Sequence, residues 1–473
     1  MNNARPLLRF LCPLLLLLFS DDALLAQARR RSPTVLFAPT GNFQNPGARS
    51  FGLGGAFVGL ADDASAAELN PAGLSQLRRP EITLEYRRLE GALPVRYTGA
   101  ISVSPFECVG FEAPGGPCDN TGSSEEDSFS FVSLIVPGSA NLTYALYRHE
   151  LDRERFTLVR PAFSFPEGQV PGSFQSLDRR LVRTGLALAY AFHPAFSAGV
   201  TVNLNSMTQT FSVAEYATPF FIRGEPGGEP ALLFGLQESR IDSQKIGGTA
   251  GLLWRPVRPL SIGVSYSTRV RFEEHGIRET CAEFTNDFVP RCFLQDGVPV
   301  PSNAYHRSDL ETNFALPGRL AASVAVRPSG WLTLVAEGDL VAYSANDIEI
   351  ERFDPETGNH IGADHLTSDD VWELHAGAEV ALPFARSGLF ALRAGYWLDP
   401  DHSFRYDRCR GLAGVTCEPD LFFTATNPRR GDLDHYTGGI GIAWAWGQLD
   451  VGYDWIEQDR IGTVSASLVI RAK

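Results

Sequence analysis

The chain has little positive charge, almost no methionine and no long apolar run beyond its first twenty residues. Lysine and arginine total 41 against 55 aspartate and glutamate, a formal net charge of -14. Phosphate backbones are held by basic surfaces, so nucleic acid is excluded as a partner. No later segment supplies the roughly 20 consecutive apolar residues of a transmembrane helix. No cysteine pair has the short spacing of a structural zinc site. The glycines of Gly52-Leu53-Gly54-Gly55 lack the third glycine, the preceding βαβ strand and the lysine that phosphate-cradling loops need. Catalytic signals are equally sparse. The nine histidines are scattered, and their one local group with a carboxylate is His360, Asp364 and His365, which reads as a solvated loop. His375 and Ser467 both fall on inward faces, but nothing in the sequence pairs them as a base and nucleophile would be paired. The expectation is a non-enzyme with no cofactor and no metal.

What is present begins with an export signal. Arg5 and Arg9 precede an apolar stretch from Phe10 to Phe19, and Ala26-Gln27-Ala28 fits a small-x-small cleavage site, so residues 1–28 read as a signal peptide. Cys12 leaves with it. The remaining six cysteines fall as three close pairs, Cys108 with Cys118, Cys281 with Cys292, and Cys409 with Cys417. Six cysteines allow about 15 pairings, so sequence leaves the connectivity open. Local disulfides are the expectation, each worth roughly 3 kcal/mol by restricting the unfolded chain.

From residue 81 to the C-terminus the hydrophobic pattern has period two, as in strands with one apolar face. Ile262, Val264 and Tyr266 alternate with Ser261, Gly263, Ser265 and Ser267; Leu332, Leu334, Ala336 and Leu340 alternate with Thr333, Glu337 and Asp339. Short turns such as Pro137-Gly138-Ser139 and His193-Pro194-Ala195 alternate strictly with long polar connections, approximately 105–127, 151–178, 213–240, 274–308, 345–368 and 401–432. Short turns on one side and long loops on the other are the habit of outer-membrane barrels. Strands at 81–90, 128–136, 140–150, 180–192, 196–212, 241–254, 260–273, 311–326, 331–344, 369–382, 387–400, 433–446, 448–457 and 462–471 make fourteen, and place all three cysteine pairs in extracellular loops. If 96–104 and 154–165 were also barrel strands the count would be sixteen. Trp254, Trp331, Trp397, Trp444, Trp446 and Trp455 stand near strand ends as aromatic girdles do. The expected class is therefore all-β, a 14-stranded antiparallel transmembrane β-barrel spanning 81–473 in the outer membrane, with membrane lipid against its apolar face.

The opposite faces carry Arg183, Arg319, Glu337, Asp339, His375, Glu379, Arg393, Asp450, Asp454 and Arg471. Buried charges need partners, so these predict a lumen cross-braced by salt bridges. A sharper possibility is that an arginine such as Arg319 or Arg393 grips a ligand carboxylate with its planar fork.

Between signal and barrel lies ARSFGLGGAFVGLADDASAAELNPAGLS, residues 48–75. Gly52, Gly54, Gly55 and Gly59 permit positive φ and close backbone approach. Asp62 and Asp63 read as N-cap candidates for a helix over Ala64 to Leu69, which Pro71 must end. Asn70 is placed to close an Asx turn. In its order of Gly-Gly-Ala-Phe, Asp-Asp-Ala-Ser and Asn-Pro-Ala-Gly-Leu, the segment resembles the N-terminal plug of the FadL/TodX family of outer-membrane transporters for long-chain fatty acids and other hydrophobic compounds. The resemblance implies that residues 29–80 fold into the lumen as a hatch, with Gly54, Gly55, Asp62, Asp63, Asn70, Pro71 and Ala72 as plug or gating residues. It also implies passive passage of a hydrophobic small-molecule ligand past that hatch. An alternative within the same family is a secretion or assembly component resembling PorV, with a protein partner. The C-terminal Leu468-Val469-Ile470-Arg471-Ala472-Lys473 departs from the aromatic ending usual for such barrels.

Overall fold

A computed structural model describes residues 45–96, 119–138, 141–160, 163–165, 168–170, 172–217, 232–281, 294–295, 298–299, 305–353, 360–384, 388–411, 431–457 and 461–472. The signal peptide lies outside the described residues, as do the cysteine side chains. Only the backbones of Cys281 and Cys409 fall within them, each in a strand.

Fourteen antiparallel strands form one closed sheet. They are β1 (Glu81–Arg96), β2 (Asp119–Pro137), β3 (Leu142–Arg160), β4 (Gly172–His193), β5 (Phe196–Ala217), β6 (Leu232–Val257), β7 (Leu260–Ser267 and Val270–Cys281), β8 (Tyr305–Leu316 and Arg319–Ser329), β9 (Leu332–Val341), β10 (Val371–Phe384), β11 (Gly388–Asp399), β12 (Leu433–Trp444), β13 (Gly447–Ile456) and β14 (Ile461–Arg471). Each strand pairs with its sequence neighbours, and β1 closes the ring on β14 from Glu81 opposite Arg471 to Glu90 opposite Gly462. β7 and β8 are each interrupted once, at 268–269 and 317–318, and pair with one another above and below the break.

The expected count of fourteen holds. Residues 154–160 continue β3 past a register shift between Glu150 and Asp152 and form no strand of their own. Of 96–104, only Arg96, the last residue of β1, is described. Several strands run well beyond the bounds read from sequence: β6 has 26 residues where apolar alternation covers 241–254. About 9 to 11 residues suffice to cross a bilayer. The extra length in β6, LLFGLQESR at 232–240, opens on an apolar run and then turns polar without regular alternation, so the pattern that marks a strand in sequence stops before the ladder does.

Side chains alternate as a barrel requires. Ile82, Leu84 and Tyr86 on β1, Leu186, Leu188 and Tyr190 on β4, and Val200, Val202 and Leu204 on β5 point outward and are exposed, whereas Thr83, Glu85, Ala187, Ala189, Thr201 and Asn203 are buried inside. An exposed apolar band around a polar interior is stable only with hydrocarbon outside it. Among the described residues no helix is long and apolar enough to cross a membrane. Trp254, Trp331, Trp446 and Trp455 face outward as expected. Trp397 does not. It shares parity with the inward Arg393 and is buried in the lumen, only 8% exposed.

One seam in the wall is incomplete. β2 and β3 pair only from Pro137 opposite Thr143 to Phe131 opposite His149. Beyond that point β2 continues along β1 alone and β3 along β4 alone.

Residues 45–76 occupy the interior at the short-turn end. They comprise α1 (Ala48–Phe51), α2 (Ala66–Leu69) and a 3-10 turn (Pro71–Gln76), nearly all buried. α2 starts two residues later than the sequence suggests. Asp63 does not cap it directly: its Oδ1 accepts from the backbone N–H of Ser65 at 3.0 Å and the Ser65 hydroxyl at 2.6 Å, an Asx turn that delays the first helical residue to Ala66. Asn70 closes the expected Asx turn, its Oδ1 accepting from Ala72 N at 3.2 Å, and Pro71 both ends α2 and opens the 3-10 turn.

Candidate functional site: a luminal cavity floored by residues 45–76

The floor is seated by backbone contact with the wall. A Cβ on Gly251 of β6 would stand 2.1 Å from Asn70 Oδ1, one on Gly263 of β7 2.1 Å from Val58 O, and one on Gly377 of β10 2.5 Å from Leu53 O. Only glycine lets main chain lie this close to a strand. Gly54 and Gly55 both have positive φ, 68° and 77°, where the segment turns against β11.

Ion pairs and charge-assisted hydrogen bonds fix the floor in register. Arg49 grips Glu379 of β10 through two bonds of 2.9 Å and Asp62 through one of 2.6 Å. Asp62 also accepts from Arg327 of β8 at 2.7 Å, so its role is to join floor and wall. Glu337 Oε2 of β9 accepts from the backbone N–H groups of Phe57 and Val58, both at 2.8 Å. Asn70 Nδ2 donates to Val58 O at 2.9 Å and Leu252 O at 3.1 Å. Ala72 O accepts from Ser197 of β5 at 3.0 Å.

Glu68, at the end of this network nearest the long connections, bonds His149 Nδ1 at 2.8 Å and Arg183 at 2.9 Å. Burial pushes its carboxyl up, but the neighbouring His149 and Arg183 outweigh burial and hold it below the usual range. A depressed carboxylate contributes stability that is present at neutral pH and lost as pH falls through its folded-state value. Glu68→Gln should cost about 3 kcal/mol, because it strips the buried Arg183 of its anion. Urea unfolding followed by tryptophan fluorescence should show that deficit at neutral pH and see it shrink toward acid pH. Asp63 responds in the opposite sense: burial raises it, with Arg49 and Ser65 only partly offsetting.

All ten inward charges read from the sequence lie inside the barrel, and each has a protein partner. Arg183 meets Glu68, Arg319 meets Glu337 and Asp339, and Arg393 meets Glu379 and Asp450. Asp454 bonds His435, Arg471 bonds Glu81, and His375 bonds the backbone oxygen of Gly54. Four of these partners, Arg49, Glu68, Glu81 and His435, escaped the sequence reading. His375 and Ser467 stand on β10 and β14, which are not neighbours in the sheet. The side chains of His360, Asp364 and His365 lie outside the described residues.

Above the floor is a partly open cavity of about 100 Å³. Phe51, Gly54, Gly55, Glu68 and Leu69 form its base; Leu151, Leu316, Val341 and Tyr343 its apolar wall; Arg319, Glu373, His375 and Asp454 its polar wall. Trp397 is layered between two histidines, with ring centroids 3.6 Å from His435 and 5.4 Å from His375, because the three occupy one register line across β10, β11 and β12. Leu151 and Leu316 continue into a buried apolar cluster with Leu181, Met207, Ile241, Val270, Phe272 and Phe314, toward the long connections. Of the two arginines proposed to hold a ligand, Arg319 reaches the cavity with 23% of its side chain exposed. Arg393 is only 2% exposed and is closed off between carboxylates.

No protein-family model matches the chain, and no curated protein matches it by sequence. Solved structures do match. A Pseudomonas aeruginosa FadL homologue superposes with a TM-score of 0.59 at 16% identity, over 90% of this chain and 99% of that one. The fold is that of the FadL/TodX-type transporters. Two further FadL/TodX-type barrels agree. The Ralstonia pickettii toluene transporter TbuX gives 0.53 at 12% identity, covering 91% and 100%, and the Pseudomonas putida toluene transporter TodX gives 0.51 at 11%, covering 90% and 97%. At these identities the FadL/TodX likeness fixes the architecture and leaves the cargo to be argued from the lining.

Proposed function

We propose that this barrel is a passive outer-membrane channel for hydrophobic small molecules, with residues 29–80 as its plug. The observation that carries the reading is the cavity resting directly on 45–76 and continuing into the apolar cluster around Phe272 and Phe314. Apolar lining with a few placed polar groups desolvates and orients an amphiphile. Arg319 is positioned to meet a carboxylate head group, which favours fatty-acid-like cargo over pure hydrocarbon. Arg393 is assigned to bracing. The incomplete β2–β3 seam supplies a sideways exit for an apolar molecule, and disulfides in the long connections stiffen the outer end.

Mass spectrometry of lipids retained by the detergent-purified protein should recover an apolar ligand. Recovery of none, together with a stably bound protein, would instead favour an assembly component. Plug movement has its own test. Asn70 Cγ lies 3.0 Å from the Cβ position of Gly251, so Asn70→Cys with Gly251→Cys brings two thiols within disulfide reach. Oxidation of that pair should abolish uptake of a labelled fatty acid, and reduction should restore it; uptake indifferent to oxidation means the plug stays seated while cargo passes.

A further inference from the structure

Three side chains beside the cavity form a group that ion-pair bracing does not explain. Asp339 of β9 and Glu373 and His375 of β10 bring one ligand-capable atom each to within 4.8 Å of one another, and all three are buried. His375 Nδ1 lies 2.7 Å from Gly54 O. A carbonyl oxygen can only accept, so Nδ1 carries the hydrogen and Nε2 is the ring nitrogen left facing the other way. It points at two carboxylates, with Asp339 Oδ2 at 3.4 Å and Glu373 Oε2 at 3.7 Å. Lone pairs facing anions repel unless a cation sits between them.

A proton answers this poorly. N–H···O bonds run at about 2.7–3.2 Å, shorter than either contact. Among the described residues, Nε2 of His375 and Oδ1 of Asp339 both lack a hydrogen-bond partner, and a single proton serves one of the two contacts, not both. The same distances suit a metal. Ligand arms of about 2.1 Å at tetrahedral angles set neighbouring ligand atoms roughly 3.4 Å apart. Charge agrees: Arg319 is a single guanidinium ion-paired to Glu337 and Asp339, with the Glu373 carboxylate close by, so the group is net anionic. Outer contacts have the form metal sites use: the histidine donates to a backbone carbonyl, Arg319 Nε donates at 2.8 Å to Asp339 Oδ2 and leaves Oδ1 as the oxygen without a partner, and the Tyr343 hydroxyl donates at 3.2 Å to Glu373 Oε1.

We infer that Asp339, Glu373 and His375 are a binding site for a divalent transition-metal ion of the zinc class. The imidazole selects against calcium and magnesium, which prefer all-oxygen shells. Because Glu373 and His375 line the cavity, the fourth position opens onto it and is filled by water or an anionic ligand. Because His375 also holds Gly54, metal at this site ties the luminal segment to β10. The inference stands whatever the cavity carries.

The test is calorimetric titration of the full-length protein in detergent, stripped with chelator and then given zinc chloride, with magnesium chloride in a parallel run. One zinc per chain should bind, magnesium should not compete, and zinc should slow proteolysis within 45–80. Glu373→Gln should weaken binding at least about tenfold, as should His375→Gln, while heat-modifiable gel mobility shows that each barrel still folds. His360→Ala with His365→Ala should leave binding intact. The inference is overturned if folded wild-type protein binds no zinc, if folded Glu373→Gln binds it undiminished, or if the loop variant removes it.

Discussion

Replacing Gly263 and Gly377 together by valine should unseat the luminal segment and raise single-channel conductance in planar bilayers, while the barrel still assembles. A Cβ at these positions would stand 2.1 Å from Val58 O and 2.5 Å from Leu53 O, and in both cases the obstructing atom is backbone that no rotamer change can move. Overpacking of this kind costs typically 1–3 kcal/mol per site, and here two sites act on one short stretch, Leu53–Val58. That stretch is also held by Glu337, which accepts from Phe57 and Val58, so lifting it breaks two charge-assisted bonds as well. Outward faces are untouched, which is why assembly survives. Gly338→Ala is the matched control: its Cβ would meet nothing nearer than Leu374 Cδ2 at 3.7 Å, and conductance should stay at the wild-type level. Unchanged conductance in the double valine variant would mean that the segment is not held by its fit to the wall.

The glycines show where sequence reading stops. Strand number, order and most inward faces follow from period-two alternation and the spacing of turns, because a closed sheet with lipid outside leaves no other arrangement for such a pattern. A lone glycine in a strand, by contrast, looks the same whether it thins a lipid face, as Gly338 does, or makes room for another backbone, as Gly377 does. Gly377 and Gly338 differ in parity, and that clue has meaning only once something is known to lie inside. Trp397 was legible in the same way. Arg393, Gly395 and Trp397 share a face, and an inward arginine obliges an inward tryptophan two strand repeats later. Its indole is assigned to a girdle by proximity to a strand end and to the lumen by parity, and parity wins because the strand is regular. Partners were harder to see. Arg49 and Glu379 are separated by 330 residues and Glu68 and Arg183 by 115, and only ring closure brings them together. The cation group combines both limits: Asp339 and His375 were readable as inward charges, but the direction of Nε2 depends on Gly54 O, a main-chain atom from the far end of the chain.

Arg393→Met should be among the most destabilising single substitutions in the barrel, costing about 3–5 kcal/mol in urea unfolding. Its guanidinium donates through Nε to Glu379 at 2.7 Å and pairs through Nη1 with Asp450 at 2.8 Å, so it ties β10 to β13 across β11 and β12. Asp450 is 2% exposed and would be left as a buried carboxylate with Gln448 for company, whereas Glu379 would keep Arg49. The cost should therefore fall mainly on Asp450. Adding Asp450→Asn to Arg393→Met should recover much of the loss, since neutralising the orphaned charge removes the penalty without rebuilding the pair. Arg393→Lys should recover little: one ammonium cannot present two separated donors to carboxylates on different strands. This series also separates bracing from ligand capture. Arg393 is closed off from the cavity, so the repaired double variant should bind fatty acid as the wild type does, whereas Arg319→Gln should weaken binding of the carboxylate but not of a hydrocarbon of equal length. Loss of fatty-acid binding in the repaired Arg393 variant would move the head-group contact one strand pair away from where the cavity wall puts it.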